Sequence, residues 1–352
     1  MCFHSEILTT TVVCLFIAAV GFALIMVLAM PKRRPALVPI SVNYHLTRVC
    51  NYNCKFCFHT NTTRYVCTLE DAKRGMKLLL EKGTKKINFS GGEPFMVRET
   101  HDGQNFVDGE FVGELCKYCK GLGMSVSIIC NGSLVTDGWF DEYGTFVDIF
   151  GVSVDSFDPD RLEIIGRTNG KLGASREHLQ KVFAIKKWCD KSGILFKINT
   201  VVTTATLTED MVPYLLRLQP SRWKVFQCLL MAGENIGPAA KRNAEPLLVS
   251  KEQFKGWLAR HAECNPVAED NGLMQNSYLI LDEELRFLNC EGGRKKPTKS
   301  ILEVGVAEAL LQAGHDSRSF QERGGVYNWL KGDRKRVVED IEEPSWDIED
   351  TF

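Results

Sequence analysis

The 352-residue chain has almost no net charge: 43 Lys and Arg against 44 Asp and Glu leave a formal −1. That balance provides no basic face of the kind that binds nucleic acid through its phosphates. Any anionic ligand must instead be met by a local cluster of cations. No matching pair of ligands follows close behind Cys50, Cys54 and Cys57, so a structural zinc site lacks the second pair it usually needs. Internal repeats are missing, apart from an alternation of strand-like and helix-like periods. Lys and Arg are absent before the first apolar run, from Met1 to Glu6, and again after Val337, where seven acids stand without a cation. The first absence argues against a cleaved signal peptide, which carries a basic region ahead of its apolar core. The second reads as a solvated, flexible acidic tail.

What is present is enough apolar material for a large core, at 44% hydrophobic residues. The 13 cysteines are irregularly spaced in a chain too large to need disulfide staples, which suits a reducing compartment. From Ile7 to Met30 no residue is charged, a stretch long enough to cross a bilayer as a helix. Lys32, Arg33 and Arg34 follow it, and the positive-inside bias keeps what comes after in the cytoplasm. The expected division is a membrane anchor over 1–34 (apolar 7–30, basic flank 32–34) and a catalytic domain over 35–245. A C-terminal extension over 246–336 completes the site, and the acidic tail fills 337–352.

The chain is organised around Arg48 to His59. Cys50, Cys54 and Cys57 stand there as C-x3-C-x2-C, just after an apolar run that reads as a strand. Three thiolates on one loop can hold three irons of a [4Fe–4S] cluster, leaving the fourth iron open to a small molecule. Downstream, Thr68 to Asp71 reads as a helix start with Thr68 as N-cap. Ile87–Ser90 reads as a strand running into Gly91, Gly92, Glu93 and Pro94, where glycine lets a ligand approach the backbone.

Strands are then expected over Met124–Cys130, Asp148–Val154, Ile194–Val202 and Trp223–Leu230, starting from Val42–Leu46. Helices are expected over Phe111–Leu122, Trp139–Tyr143, Glu177–Lys191 and Asp210–Leu218. Six such βα units predict an α/β fold, a partial (β/α)6 TIM-like barrel with ligands beyond the C-terminal ends of its strands. Cys116-x-x-Cys119 falls inside a helix without a partner pair, so packing is the expectation; Cys228, Cys264 and Cys290 are too dispersed for a second cluster.

The cysteine spacing, the aromatic Phe56 before the last cysteine, and the Gly-Gly-Glu-Pro run together resemble the radical S-adenosylmethionine superfamily. The resemblance implies that the open iron chelates S-adenosylmethionine and that Ser90, Gly91, Gly92 and Glu93 meet its methionyl amino group. Val42–His45, Cys54–His59, Asn131–Ser133, Asp155–Phe157, Ile165–Arg167, Phe196–Asn199, Arg222–Leu230 and Ser277–Asp282 are similar to the viperin family within it. Those enzymes turn CTP into 3′-deoxy-3′,4′-didehydro-CTP, an antiviral chain terminator, by taking hydrogen from C4′ of the ribose.

Carried onto this chain, Lys86, Lys197, Arg222 and Lys224 would hold the triphosphate and Asn199 would orient the substrate. Tyr278 would sit beside the ribose and quench the product radical, and Asn131, Ser153 and Arg167 would line the cofactor and substrate pocket. The implied partners are an electron-donor protein, the endoplasmic reticulum membrane and the cytosolic iron–sulfur assembly machinery. That machinery reads a terminal Trp in the family; here the chain ends in Phe352. Base preference stays open at this stage, with UTP as the alternative. So does a membrane-anchored scaffold acting through protein contacts, which loss of the three cysteines would leave active.

Overall fold

The computed structural model describes residues 38–331. The proposed anchor and the acidic tail with Phe352 lie outside them. Among the described residues no helix is long and apolar enough to cross a membrane.

Among the described residues ten strands form one sheet. β1 (Ser41–His45), β2 (Lys86–Ser90), β3 (Ser125–Cys130), β4 (Ile149–Ser153), β5 (Leu195–Val202) and β6 (Arg222–Gln227) follow one another in chain order, all parallel. The C-terminal segment extends both edges. β7 (Val267–Glu269) pairs with β6, whereas β8 (Ile280–Leu281) pairs with β1 and continues antiparallel into β9 (Arg286–Asn289) and β10 (Lys296–Ser300).

The expected α/β order of strands and helices is present, with shifts that have local causes. The last strand of the six stops at Gln227, because Asn235 draws the next residues out of the sheet: its side chain accepts from Met231 N at 2.7 Å and donates to the Leu229 carbonyl at 3.0 Å. The helix expected from Asp210 starts at Val212, since the Asp210 carboxylate caps the Val212 N–H at 3.0 Å. A helix at Pro159–Ile165 was not foreseen, although Asp158 as N-cap followed by Pro at the first position is its sequence signal. The helix expected from Glu177 begins earlier, at Ala174.

Successive residues of a strand point to opposite faces, and here the apolar face points outward. Val42, Tyr44, Ile87, Phe89, Val126, Ile128, Phe150, Val152, Phe196, Ile198, Trp223 and Val225 are buried in the core formed with the helices. The alternate residues of β1, β2, β5 and β6 point inward: Ser41, Asn43 and His45; Lys86, Asn88 and Ser90; Lys197 and Asn199; Arg222 and Lys224. A polar lining cannot close-pack as the branched apolar layers of a full barrel do. The interior is accordingly a cavity of about 420 Å³.

Candidate active site

Cys50, Cys54 and Cys57 line this cavity, with Gly91, Gly92, Asn131, Ser153 and Arg167 around them. Backbone contacts fix the loop from two sides. Gly92 N donates to Thr47 O at 2.7 Å and Glu93 N to Val49 O at 2.8 Å, while Lys55 N reaches Ile165 O at 2.9 Å. Glycine is required at both contacts. A Cβ on Gly92 would stand 2.2 Å from Val49 O, and one on Gly166, at φ +75°, 2.5 Å from Asn53 O. The glycine pair expected to admit a ligand therefore also admits the backbone of the loop that precedes the first cysteine.

The thiols fit a cluster. Tyr52 N lies 3.4 Å from the Cys50 sulfur, His59 N 3.5 Å from the Cys57 sulfur, and Asn131 Nδ2 3.8 Å from Cys50. Such donors stabilise thiolate and tune iron–sulfur potentials. Burial pushes the free Cys54 thiol up to about 12, and the neighbouring Arg167 guanidinium opposes that rise. Among the described residues no three His, Cys, Asp or Glu side chains converge as the ligands of one ion would.

Arg167 itself is held by Asp155 at 2.5 Å, with its guanidinium 5.5 Å from the centre of the Phe56 ring. Ser90 and Ser153 end their strands beside the loop. Glu93 is different: it is completely buried and accepts from Asn131 N at 2.7 Å and Phe95 N at 3.2 Å. Burial raises its carboxyl to about 7. In this structure it braces the floor of the site rather than lining the cavity.

Lys86, Lys197, Arg222 and Lys224 line the other end of the same cavity, joined by Arg323. They stand on the strands themselves, Lys86 and Arg222 being the first residues of β2 and β6. This corrects the expectation that the ligand groups gather beyond the C-terminal strand ends: inward alternation sets these cations deep in the barrel. Burial, then the neighbouring cations, lowers Lys86 to about 7. Burial lowers Lys224 to about 8 against the attraction of Glu269, and it drives Lys197 well below the ordinary lysine range.

Tyr278 does not sit as a core tyrosine. Its hydroxyl accepts from Lys224 Nζ at 2.5 Å and donates to Glu269, which also pairs with Lys224. The Arg323 guanidinium stacks 3.7 Å from the centre of the Tyr278 ring. Asn199, in register with Lys224, lines the wall with its Oδ1 unpartnered. All the expected cluster, cofactor and substrate residues except Glu93 thus face one cavity.

Sequence reasoning missed Glu269, Arg323 and Tyr327. Tyr327 accepts from Lys86 Nζ at 3.1 Å and lies 4.1 Å beneath the Arg222 guanidinium. Their only local signal is an Arg-Gly-Gly run at 323–325. Cys116 and Cys119 are wholly buried in their helix, as packing predicts.

This fold and three-thiol loop define a radical S-adenosylmethionine enzyme. Residues 44–217 match the radical SAM superfamily. SuiB of Streptococcus suis bound to S-adenosylmethionine superposes with a TM-score of 0.55 at 14% identity, over 81% of this chain and 67% of that one. The S-adenosylmethionine-dependent nucleotide dehydratase RSAD2 of Oncorhynchus mykiss is 50% identical, over 84% of this chain and 82% of the relative. That of Siniperca chuatsi is 48% identical over 86% and 83%. A dehydratase of Flammeovirga pacifica is 31% identical over 82% and 96%. The chain belongs to the S-adenosylmethionine-dependent nucleotide dehydratases, the viperin family, and its cofactors are a [4Fe–4S] cluster and S-adenosylmethionine.

Proposed function

We propose that the chain dehydrates CTP to 3′-deoxy-3′,4′-didehydro-CTP. The observation that carries this reading is the placement of five cations, four of them buried, and three cluster thiols in one cavity. A triphosphate brings the negative charge that the cations lack, through charge-assisted hydrogen bonds that Arg222 and Arg323 can make in bidentate form. Held by its phosphates, the nucleotide presents its ribose toward the cluster end, with Asn199 orienting it.

Cys50, Cys54 and Cys57 would hold a cluster that, with S-adenosylmethionine, would supply the radical chemistry needed to take the hydrogen from C4′. The 3′-hydroxyl leaves as water, and one electron and one proton complete the product. A donor protein supplies the electron. The Tyr278 hydroxyl supplies the proton, and Lys224 and Glu269 fix its position.

Anaerobic, reductant-driven turnover of a nucleotide panel, read by mass spectrometry, tests the proposal. CTP should yield 5′-deoxyadenosine and the didehydro nucleotide. Turnover of UTP or a purine nucleotide without CTP would replace the substrate.

For the residues outside those described, the apolar run 7–30 and its basic flank support an anchor in the endoplasmic reticulum membrane. The catalytic domain would then face the cytoplasm, which protease protection of microsomes checks. Phe352 ends the acidic tail offered to the iron–sulfur assembly machinery.

A further inference from the structure

Three side chains close a ring of hydrogen bonds beside the first cysteine. Asn51 follows Cys50 directly, and Asn131 and Ser133 stand just past the end of β3. Asn131 Nδ2 lies 2.9 Å from Asn51 Oδ1, Asn51 Nδ2 2.9 Å from Ser133 Oγ, and Ser133 Oγ 2.6 Å from Asn131 Oδ1. Asn131 Nδ2 also faces the Cys50 sulfur at 3.8 Å.

The direction of every bond in the ring follows from one backbone group. Ser133 N lies 2.9 Å from the side chain of Asn131. A backbone N–H can only donate, so the atom it meets is the carbonyl oxygen and the other end of the amide is the NH2 group. One amide hydrogen of Asn131 then goes to Asn51 Oδ1. That contact fixes Asn51 in turn, so its own NH2 donates to Ser133 Oγ, and the Ser133 hydroxyl donates back to Asn131 Oδ1. The second amide hydrogen of Asn131 is left for the Cys50 sulfur. Turned over, the amide would set NH2 against the Ser133 N–H and a carbonyl oxygen against a thiolate. The ring is also a partition. Asn51 and Ser133 line a groove of about 620 Å³ against the helix Ala174–Lys191, whereas Asn131 and Cys50 line the barrel cavity.

We propose that Asn51 is a positioning residue for cluster reduction: through the ring it holds the Asn131 amide hydrogen on the Cys50 sulfur, and so raises the potential at which the cluster takes up its electron. Reduction adds negative charge to a cluster and its sulfurs. An N–H aimed at a ligand sulfur therefore stabilises the reduced form more than the oxidised one. Ser133 closes the ring, and Asn131 is the group that touches the ligand.

The test is a redox titration of the full, cluster-loaded chain without S-adenosylmethionine or nucleotide, with electron paramagnetic resonance counting the reduced clusters at each set potential. Solvent exposure also moves the potential of an iron–sulfur cluster, so the main substitutions keep volume and with it the partition. Asn51→Leu should make reduction roughly tenfold less favourable, a fall of about 59 mV for one electron. Asn131→Leu, which removes the donor itself, should fall at least as far. Ser133→Ala should shift in the same direction, and Ser133→Thr, which keeps the hydroxyl, should hold the wild-type value. Gln180→Leu, on the groove but outside the ring, should leave the potential where it is. Iron content and circular dichroism identify a variant that has lost its cluster, and the remaining ring variants then decide.

A wild-type potential in Asn51→Leu and Ser133→Ala would mean that the ring only braces the loop. That result would overturn the proposal even if iron content or the thermal midpoint fell. So would a rise in potential, or an equal shift in Gln180→Leu, which would trace the effect to the groove rather than to the amide.

Discussion

The Nε of Arg48 donates a 2.8 Å hydrogen bond to the carboxylate of Glu283, 235 residues further along the chain. Its Nη1 reaches Glu234 at 2.9 Å. Glu234 in turn accepts from the Thr60 N–H and hydroxyl at 2.7 and 2.6 Å. The cluster loop is thus held at both ends by carboxylates from the second half of the chain, and cofactor assembly depends on residues far from the cysteines.

Arg48→Met should therefore leave the buried Glu283 without its cation and Glu234 with Lys295 alone; breaking a buried pair costs about 3–5 kcal/mol. The expected result is a fall in the thermal unfolding midpoint and in iron bound per chain, below half the wild-type value. Calorimetry and iron assay measure the two. An unchanged iron content would show that the loop holds its shape without the pair.

Gly166→Ala should damage the cluster loop without touching a cysteine. The added methyl would meet Asn53 O at 2.5 Å in a backbone conformation that only glycine adopts readily. Loss of the cluster's visible absorbance is expected, with far-ultraviolet circular dichroism retained. Gly170→Ala is the control: it has the same sign of φ with open space around it, and it should keep its cluster.

The cysteine spacing and the order of strands and helices were legible in the sequence because each rests on local pattern, whereas four of the five cations came from the resemblance to the viperin family. Lys86, Asn88 and Ser90, or Lys197 and Asn199, alternate with Ile87, Phe89 and Ile198, and that period of two already says that a polar wall backs an apolar one. Glu269, Arg323 and Tyr327 were not legible. They reach the site only because β7 joins one edge of the sheet and the segment after Ser317 returns to the cations. No local spacing encodes that return. The deep position of the cations was also missed: the rule that ligands sit beyond strand ends assumes a packed interior, and this interior is polar.

Nucleotide binding should take up protons at mildly alkaline pH. Burial and neighbouring cations hold Lys86 at about 7, so above pH 8 it is mostly neutral in the free protein. A bound triphosphate favours the ammonium and raises that value, so binding must draw a proton from solution. Affinity should be full below about pH 7 and should fall as pH rises through 8. Titration calorimetry in two buffers of different ionisation enthalpy reads the uptake directly; proton release at pH 8.5 would contradict it.

Arg323→Met should weaken CTP binding by roughly tenfold to a hundredfold, the usual loss when one partner of a charge-assisted contact is removed. Its guanidinium also lies against the Tyr278 ring, so the yield of didehydro product per 5′-deoxyadenosine should fall as well. Product ratios by mass spectrometry check the second effect. A variant with weaker binding but an unchanged ratio would confine Arg323 to the phosphates.

The outward turn of the apolar strand faces separates two duties that share each strand. Every second residue anchors the sheet to its helices, and the residues between them carry the chemistry. The inner set can therefore be rewritten, one side chain at a time, with little penalty to folding. Removing a buried cation such as Lys197 relieves first the cost of its burial and then the repulsion of its neighbours, and should even firm the empty protein. A scaffold divided in this way can change its substrate without rebuilding its frame.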